Sequence, residues 1–78
     1  MRYQREVTGL VIRRLRQERS LTQEVLSGLA GIGRSHLAEI ECGKRGATVE
    51  TIWQIAEALE LSMSELMKRV ESELRSRK

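Results

Sequence analysis

The chain has 78 residues, enough for one small domain, and a domain of about this size buries only about 60% of the surface that its unfolded chain exposes. Cys42 is the only cysteine and His36 the only histidine, so an internal disulfide is excluded and a zinc site built from Cys and His has too few ligands. The net charge is only +3, but basic residues concentrate at both ends of the chain, whereas residues 47–66 contain glutamates and no base. This distribution predicts a basic side and an acidic side, and the alternative is ordinary solvated helix faces.

The composition predicts an all-α fold of five short helices, because proline is absent, no strand-forming run occurs, and good helix formers dominate. The first helix is predicted over about residues 5–19, where apolar residues recur at helical spacing opposite a row of arginines. Thr22 is a suitable N-cap for a second helix over about residues 23–29. Gly31 then provides the left-handed residue that commonly ends a helix.

A third helix is predicted over about residues 34–42, with Gly43 as the residue that ends it. Only the segment Gly31-Ile32-Gly33 separates it from the second helix. So short a turn forces the two helices to cross at a steep angle. A short helix, a glycine turn and a second short helix are typical of the helix-turn-helix unit.

Thr48 is expected to cap a fourth helix over about residues 49–59, and Ser62 with Glu65 forms a capping box that opens a fifth helix over about residues 63–74. The apolar residues of the fifth helix form one stripe, part of which must cover the core. The rest is a candidate dimer interface, for which we select Leu66, Met67, Val70 and Leu74. The alternative, in which the whole stripe is intramolecular core, remains open.

Glycine and basic residues between positions 31 and 45 indicate that something phosphorylated is bound, either a nucleotide or a nucleic acid. A dinucleotide motif G-x-G-x-x-G that began at Gly31 would need glycine at His36. A Walker-type loop that ended at Gly43-Lys44 would need glycine at Ala38. No strand precedes either segment, and the spacing therefore disfavours a nucleotide loop.

The nucleic-acid interpretation agrees with the phase of the third helix. At about 100° per residue, Leu37, Ile40 and Glu41 share one face. Ser35, Glu39 and Cys42 lie opposite. A helix whose outer residues are small and polar can enter a major groove about 12 Å wide.

Glu41 lies on the inward face, where a half-buried carboxylate requires a cationic partner. Arg16, at the end of the first helix, is the best candidate for this structural ion pair. In the alternative, Glu41 points to water beside Gly43.

Residues 15–66 resemble the phage-repressor (Xre/Cro-like) helix-turn-helix family. The motifs that carry the resemblance include Leu21-Thr22-Gln23-Glu24, Gly31-Ile32, Arg34-Ser35, Ile40-Glu41 and Gly43-Lys44-Arg45. The resemblance implies five helices, binding to operator DNA and a dimer, and it supports the pair of Arg16 and Glu41. The sequence departs from the family pattern at Gly33, where a Ser, Thr or Asp cap is usual, and at Cys42, where Arg or Asn is frequent.

Family position also implies roles for individual residues. Arg34 is expected to read bases, because its fork can span O6 and N7 of guanine. The other residues expected at bases or at the edge of the groove are Ser35, His36 and Glu39. The residues expected at phosphates are Gln23, Lys44, Arg45 and Thr48. For Lys44 and Arg45 the alternative is an ordinary solvated loop.

We therefore expect one domain over residues 1–78, with its core at about 5–66, that acts as a sequence-specific transcriptional regulator. It would bind palindromic double-stranded DNA operators as a homodimer, and its short length is similar to that of restriction–modification controller proteins. The alternative is an antitoxin or another protein-interaction module, for which Arg34 would be dispensable. We expect no enzyme activity, metal, cofactor or membrane contact, and a cytoplasmic location; contact with a toxin or RNA polymerase remains open.

Overall fold

The computed structural model describes residues 2–77. Over this range the chain forms five helices and no strand, which confirms the predicted all-α fold. The helices are α1 (Arg5–Glu18), α2 (Gln23–Ala30), α3 (Arg34–Glu41), α4 (Val49–Ala58) and α5 (Met63–Ser76). The main difference from the prediction is that α5 continues to Ser76 instead of ending near residue 74. None of the helices within residues 2–77 is both long and apolar enough to span a membrane.

Three helices begin at side-chain caps that satisfy amide donors of the first turn. The Thr22 hydroxyl accepts a hydrogen bond from the backbone amide of Val25 at 3.1 Å. At the start of α5, the Glu65 amide donates to the Ser62 hydroxyl at 3.1 Å, and the Ser62 amide donates to the Glu65 carboxylate at 2.9 Å. The capping box predicted from the sequence is therefore present.

All five helices contribute buried side chains to one core, with α1 packed against α3 and α5, and α2 packed against α3 and α4. The largest of the fully buried side chains are Ile12, Leu15, Leu26, Leu37, Ile40, Ile55, Leu59, Leu66 and Val7. Because each helix buries only one face, the opposite faces remain available for binding.

Two of the four residues predicted for the dimer interface are buried within the monomer. Leu66 is fully buried and Val70 is 2% exposed, both within the core of the monomer. They pack against the other helices of their own chain and present almost no surface to a second copy. Met67 and Leu74 are only partly buried at the border of this core, so they remain candidates.

The close approach of α1 to α3 depends on Gly9. A Cβ atom at this position would overlap the carbonyl oxygen of Ile40 and would lie 2.9 Å from that of Glu41. These atoms are backbone, which cannot move without shifting α3. Gly9 therefore sets the distance between the first helix and the helix that carries the candidate site.

Candidate nucleic-acid interface

A three-residue turn joins α2 to α3. Gly31 ends α2 in the left-handed conformation with φ of 71°, as expected for a helix C-terminus. The amide of Ile32 donates to the carbonyl of Ser27 at 3.0 Å, which fixes the turn against α2. Gly33 is the N-cap of α3 and provides no side-chain cap, so the amides at the start of α3 lack the usual side-chain acceptor.

The two faces of α3 differ as the predicted helical phase requires. Leu37, Ile40 and Glu41 are buried. Arg34, Ser35 and Glu39 are exposed, while His36 and Ala38 are half-buried. The predicted base-reading residues therefore lie on a helix that is anchored by one face and has its polar face open to solvent.

The structure contains the ion pair between Arg16 and Glu41, in a bidentate arrangement. Nε of Arg16 lies 2.7 Å from Oε2 of Glu41, and Nη2 lies 2.9 Å from Oε1. The remaining nitrogen, Nη1, donates to the carbonyl of Leu21 at 2.9 Å. The hydrogen bond to Glu41 raises the pKa of Arg16, burial opposes this shift, and the charge of Glu41 adds to it. Glu41 is therefore compensated inside the protein and does not point to water.

Gln23 joins this ion pair from the start of α2. Its side-chain Nε2 donates to Oε1 of Glu41 at 3.1 Å. The contact ties α1, α2 and α3 together at one point, because Arg16, Gln23 and Glu41 belong to three different helices. Gln23 was predicted to contact a phosphate, and the structure holds its amide in a fixed orientation at the first turn of α2.

The α3–α4 loop carries the two predicted basic phosphate contacts, Lys44 and Arg45, and both are exposed. Their backbone amides donate to the carbonyl of Glu39, at 3.0 and 3.3 Å. The Arg45 guanidinium also lies 3.4 Å from the Glu39 carboxylate, with both side chains about half exposed. An exposed pair of this kind is weak, so a phosphate can replace Glu39 as the partner of Arg45.

Thr48 caps α4 with its side chain. Its hydroxyl accepts from the Thr51 amide at 3.1 Å and contacts the Thr51 hydroxyl at 3.0 Å. The hydroxyl predicted to contact phosphate is thus engaged within the protein. The first backbone amides of α4, which no intrahelical acceptor reaches, are the groups available to an anion at this position.

Sequence reasoning assigned no role to Arg13, which lines the same cleft as Gln23 and Cys42. The sequence contains one indication that Arg13 lies near Arg16. The two arginines are three residues apart, and residues at this spacing lie on one side of a helix. Trp53 of α4 has a large apolar side chain that is 52% exposed. Among residues 2–77 no group of three or more His, Cys, Asp or Glu side chains could hold a metal ion.

An exposed polar helix, joined by a three-residue turn to a supporting helix and followed by a basic loop, defines a helix-turn-helix domain. The family model described as Helix-turn-helix matches residues 12–66. The chain belongs to this helix-turn-helix family, which confirms the resemblance found in the sequence.

Known proteins with a similar sequence or fold agree with this assignment. The uncharacterized HTH-type transcriptional regulator y4dJ of Sinorhizobium fredii (strain NBRC 101917 / NGR234) is 38% identical over 63 residues, which cover 81% of this chain and 82% of that protein. The restriction-modification controller protein C.AhdI from Aeromonas hydrophila superposes with a TM-score of 0.77 at 34% identity, over 80% of this chain and 94% of C.AhdI. The wild-type controller protein C.Esp1396I superposes with a TM-score of 0.88 over 97% of this chain and 99% of its own, and its 24% identity supports the fold alone.

Proposed function

We propose that the protein is a transcriptional regulator that binds double-stranded DNA in a sequence-specific manner. The observation that carries this proposal is the division of α3 into a buried face and an open polar face with Arg34 at its first position. A helix exposed in this way fits the major groove, where each base pair presents a distinct set of donors and acceptors.

In this proposal α3 enters the major groove with its outer face toward the bases. Arg34 donates to guanine, and Ser35 and Glu39 contact neighbouring bases or the edge of the groove. Lys44, Arg45 and the first amides of α4 bind phosphates, which position the domain without reading sequence. Gln23 binds a phosphate or orients its neighbour from the start of α2.

We propose that the protein acts as a homodimer on a palindromic operator, because one short helix reads too few base pairs for a unique site. A shallow apolar groove between α4 and α5 supports a second copy as the partner. Its apolar side chains are Trp53, Leu61, Met63 and Met67, and we call it the α4–α5 groove. Trp53 is half exposed in the monomer, as expected of an aromatic side chain that is buried on association.

The narrower biological role that we propose is control of a restriction–modification system. Its support is the likeness to C.AhdI, a restriction-modification controller protein, over 80% of this chain. The prediction is that operators recovered from the genome of the source organism lie beside a gene for a restriction endonuclease or its methyltransferase.

Selection from a pool of random duplexes tests the proposed function. Purified protein is mixed with the pool, retained DNA is sequenced, and the cycle is repeated with Arg34→Ala as the matched variant. We expect the wild type to enrich one two-fold symmetric sequence and Arg34→Ala to lose that enrichment. If no sequence is enriched, DNA binding by base readout is refuted. A stable complex with a partner protein that survives Arg34→Ala would then favour the antitoxin type of function.

A further inference from the structure

A cleft lies where α1, the start of α2 and the end of α3 meet. The residues that line it are Arg13, Arg16, Gln23, Ala38, Glu41 and Cys42. Cys42 is exposed at the carboxyl-terminal end of α3, and Arg13 is exposed on α1. The cleft is therefore open to solvent beside the candidate recognition helix.

The charges in this cleft leave Arg13 uncompensated. The carboxylate of Glu41 accepts two hydrogen bonds from Arg16 and one from Gln23, so its charge is already balanced. Within residues 2–77, no carboxylate lies within ion-pair distance of Arg13. The neighbouring Arg14 differs, because its guanidinium lies 2.8 Å from Glu73 of α5. The cleft thus carries one net positive charge that no described residue neutralises.

We propose that Arg13 binds a phosphate of the DNA backbone beside the carboxyl-terminal end of α3. This assignment rests on the proposed function. Arg34 lies at the amino-terminal end of α3 and Arg13 lies near the opposite end, so the two cations flank the candidate recognition helix. Gln23 is neutral, and its amide already donates to Glu41. The charge that binds a phosphate here must therefore come from Arg13, whose planar fork can hold two phosphate oxygens.

The competing role for Arg13 is purely structural. The last turn of α3 contains no basic residue, and a cation near a helix C-terminus interacts favourably with its partial negative charge. In that role Arg13 would stabilise the fold but would bind no phosphate. The two roles differ in a measurable way, because only a phosphate contact releases counterions when DNA binds.

The test compares Arg13→Ala with Arg14→Ala, which removes the same charge from the same helix on the side that faces α5. Affinity is measured between about 50 and 200 mM salt, on the selected operator and on a random duplex. For Arg13→Ala we expect the slope of log affinity against log salt to become shallower by about 0.9 for each bound protomer, with equal losses of affinity on both duplexes. Arg14→Ala should keep the wild-type slope, and both variants should melt within about 4 °C of the wild type.

The possible failures can be told apart. If the wild type binds with a steep slope that Arg13→Ala leaves unchanged, the Arg13 assignment is wrong while DNA binding stands. An unchanged slope together with a large fall in melting temperature would establish the structural role instead. Equal changes of slope in Arg13→Ala and Arg14→Ala would refute a local contact. If the wild type retains no duplex, the proposed function fails, and the Arg13 assignment fails with it.

Discussion

Two helical glycines, Gly9 and Gly28, have opposite surroundings, and the same substitution should have opposite effects on stability. A methyl group at Gly9 would overlap the backbone of α3, whereas no atom lies within 4 Å of one at Gly28. We expect Gly9→Ala to destabilise the fold by about 1–3 kcal/mol through overpacking. Gly28→Ala should stabilise it by about 0.5–1 kcal/mol, because alanine favours a helix more than glycine does. Urea unfolding measures both, and a neutral or stabilising Gly9→Ala would contradict the close contact of α1 with α3.

At the site itself, Arg34 and Lys44 are both exposed cations to which we assign different tasks. Arg34→Ala should cost about 1–3 kcal/mol on the operator and little on random DNA, because a base contact is lost only where the base is present. Lys44→Ala should weaken binding to both duplexes and flatten the salt dependence. Titrations of the two variants against both duplexes measure this difference. Equal losses on both duplexes for Arg34→Ala would remove its assignment as a reader.

Single residues also show how far the sequence predicts the site. The phase of α3, supported by the family resemblance, predicted that Glu41 faces inward and pairs with Arg16, and the structure has that ion pair. The contact of Gln23 with Glu41 and the contact of Arg45 with Glu39 were not predicted. Helical spacing fixes the side of a helix on which a residue lies. The acceptor that a side chain such as that of Gln23 or Arg45 contacts depends on its rotamer, and the rotamer depends on tertiary packing.

At the scale of the element, the start of α5 depends on the ionised form of Glu65. The hydrogen bond from the Ser62 amide lowers the pKa of Glu65, and the Ser62 hydroxyl adds to this effect. Because the pKa is lowered on folding, the stabilisation is complete above the unfolded value of about 4.3 and is lost as the pH falls through the folded value.

Glu65→Gln should therefore lower the melting temperature at about pH 7 and lower it less at about pH 3, below the unfolded value of about 4.3, where a larger fraction of the wild-type carboxyl is protonated. Thermal melts followed by circular dichroism at the two pH values measure this difference. Glu71→Gln is the matched control, because Glu71 is exposed on the same helix and its side chain makes no hydrogen bond or ion pair within residues 2–77. If both variants shift equally at both pH values, the capping box does not stabilise α5 through its charge.

The helices were well predicted because their end signals are local. Thr22, Thr48, Ser62 and the glycines at positions 31 and 43 act on amides and carbonyls within a few residues, so sequence alone identifies them. The sequence did not predict which residues of the α5 stripe stay accessible to a second copy, because that depends on contacts between distant helices. A helical period groups Leu66, Met67 and Val70 on one stripe, but it does not say which helix covers each residue.

On the scale of the whole molecule, the α4–α5 groove is separate from the recognition surface. Helix α5 packs against α1 and α4, while α3 packs against α1 and α2. The domain measures 34 × 23 × 22 Å. The longest of these dimensions is similar to the separation of about 34–36 Å between successive major grooves on one side of DNA. Association through α4 and α5 leaves both copies of α3 free to bind.

Met67 is the residue of choice for testing this arrangement, because it lines the groove at the border of the core without being fully buried. A carboxylate there would be desolvated in the dimer but would remain hydrated in the monomer. We therefore expect Met67→Asp to sediment as a monomer at micromolar concentrations, and we expect the wild type to sediment as a dimer under the same conditions. Ser72→Asp, which adds the same charge at an exposed position of α5, should remain a dimer.

Loss of the dimer should also weaken DNA binding, because the proposed operator has two symmetric half-sites. A dimer gains affinity from its second half-site because the two domains are linked, so Met67→Asp should lose most of its affinity for the full palindrome. Its affinity for an isolated half-site should equal that of the wild-type protomer, since α3 and the basic loop are unchanged. Gel shifts on full and half operators at matched salt measure both quantities. If Met67→Asp remains dimeric and binds the palindrome as the wild type does, the α4–α5 groove is not the dimer interface.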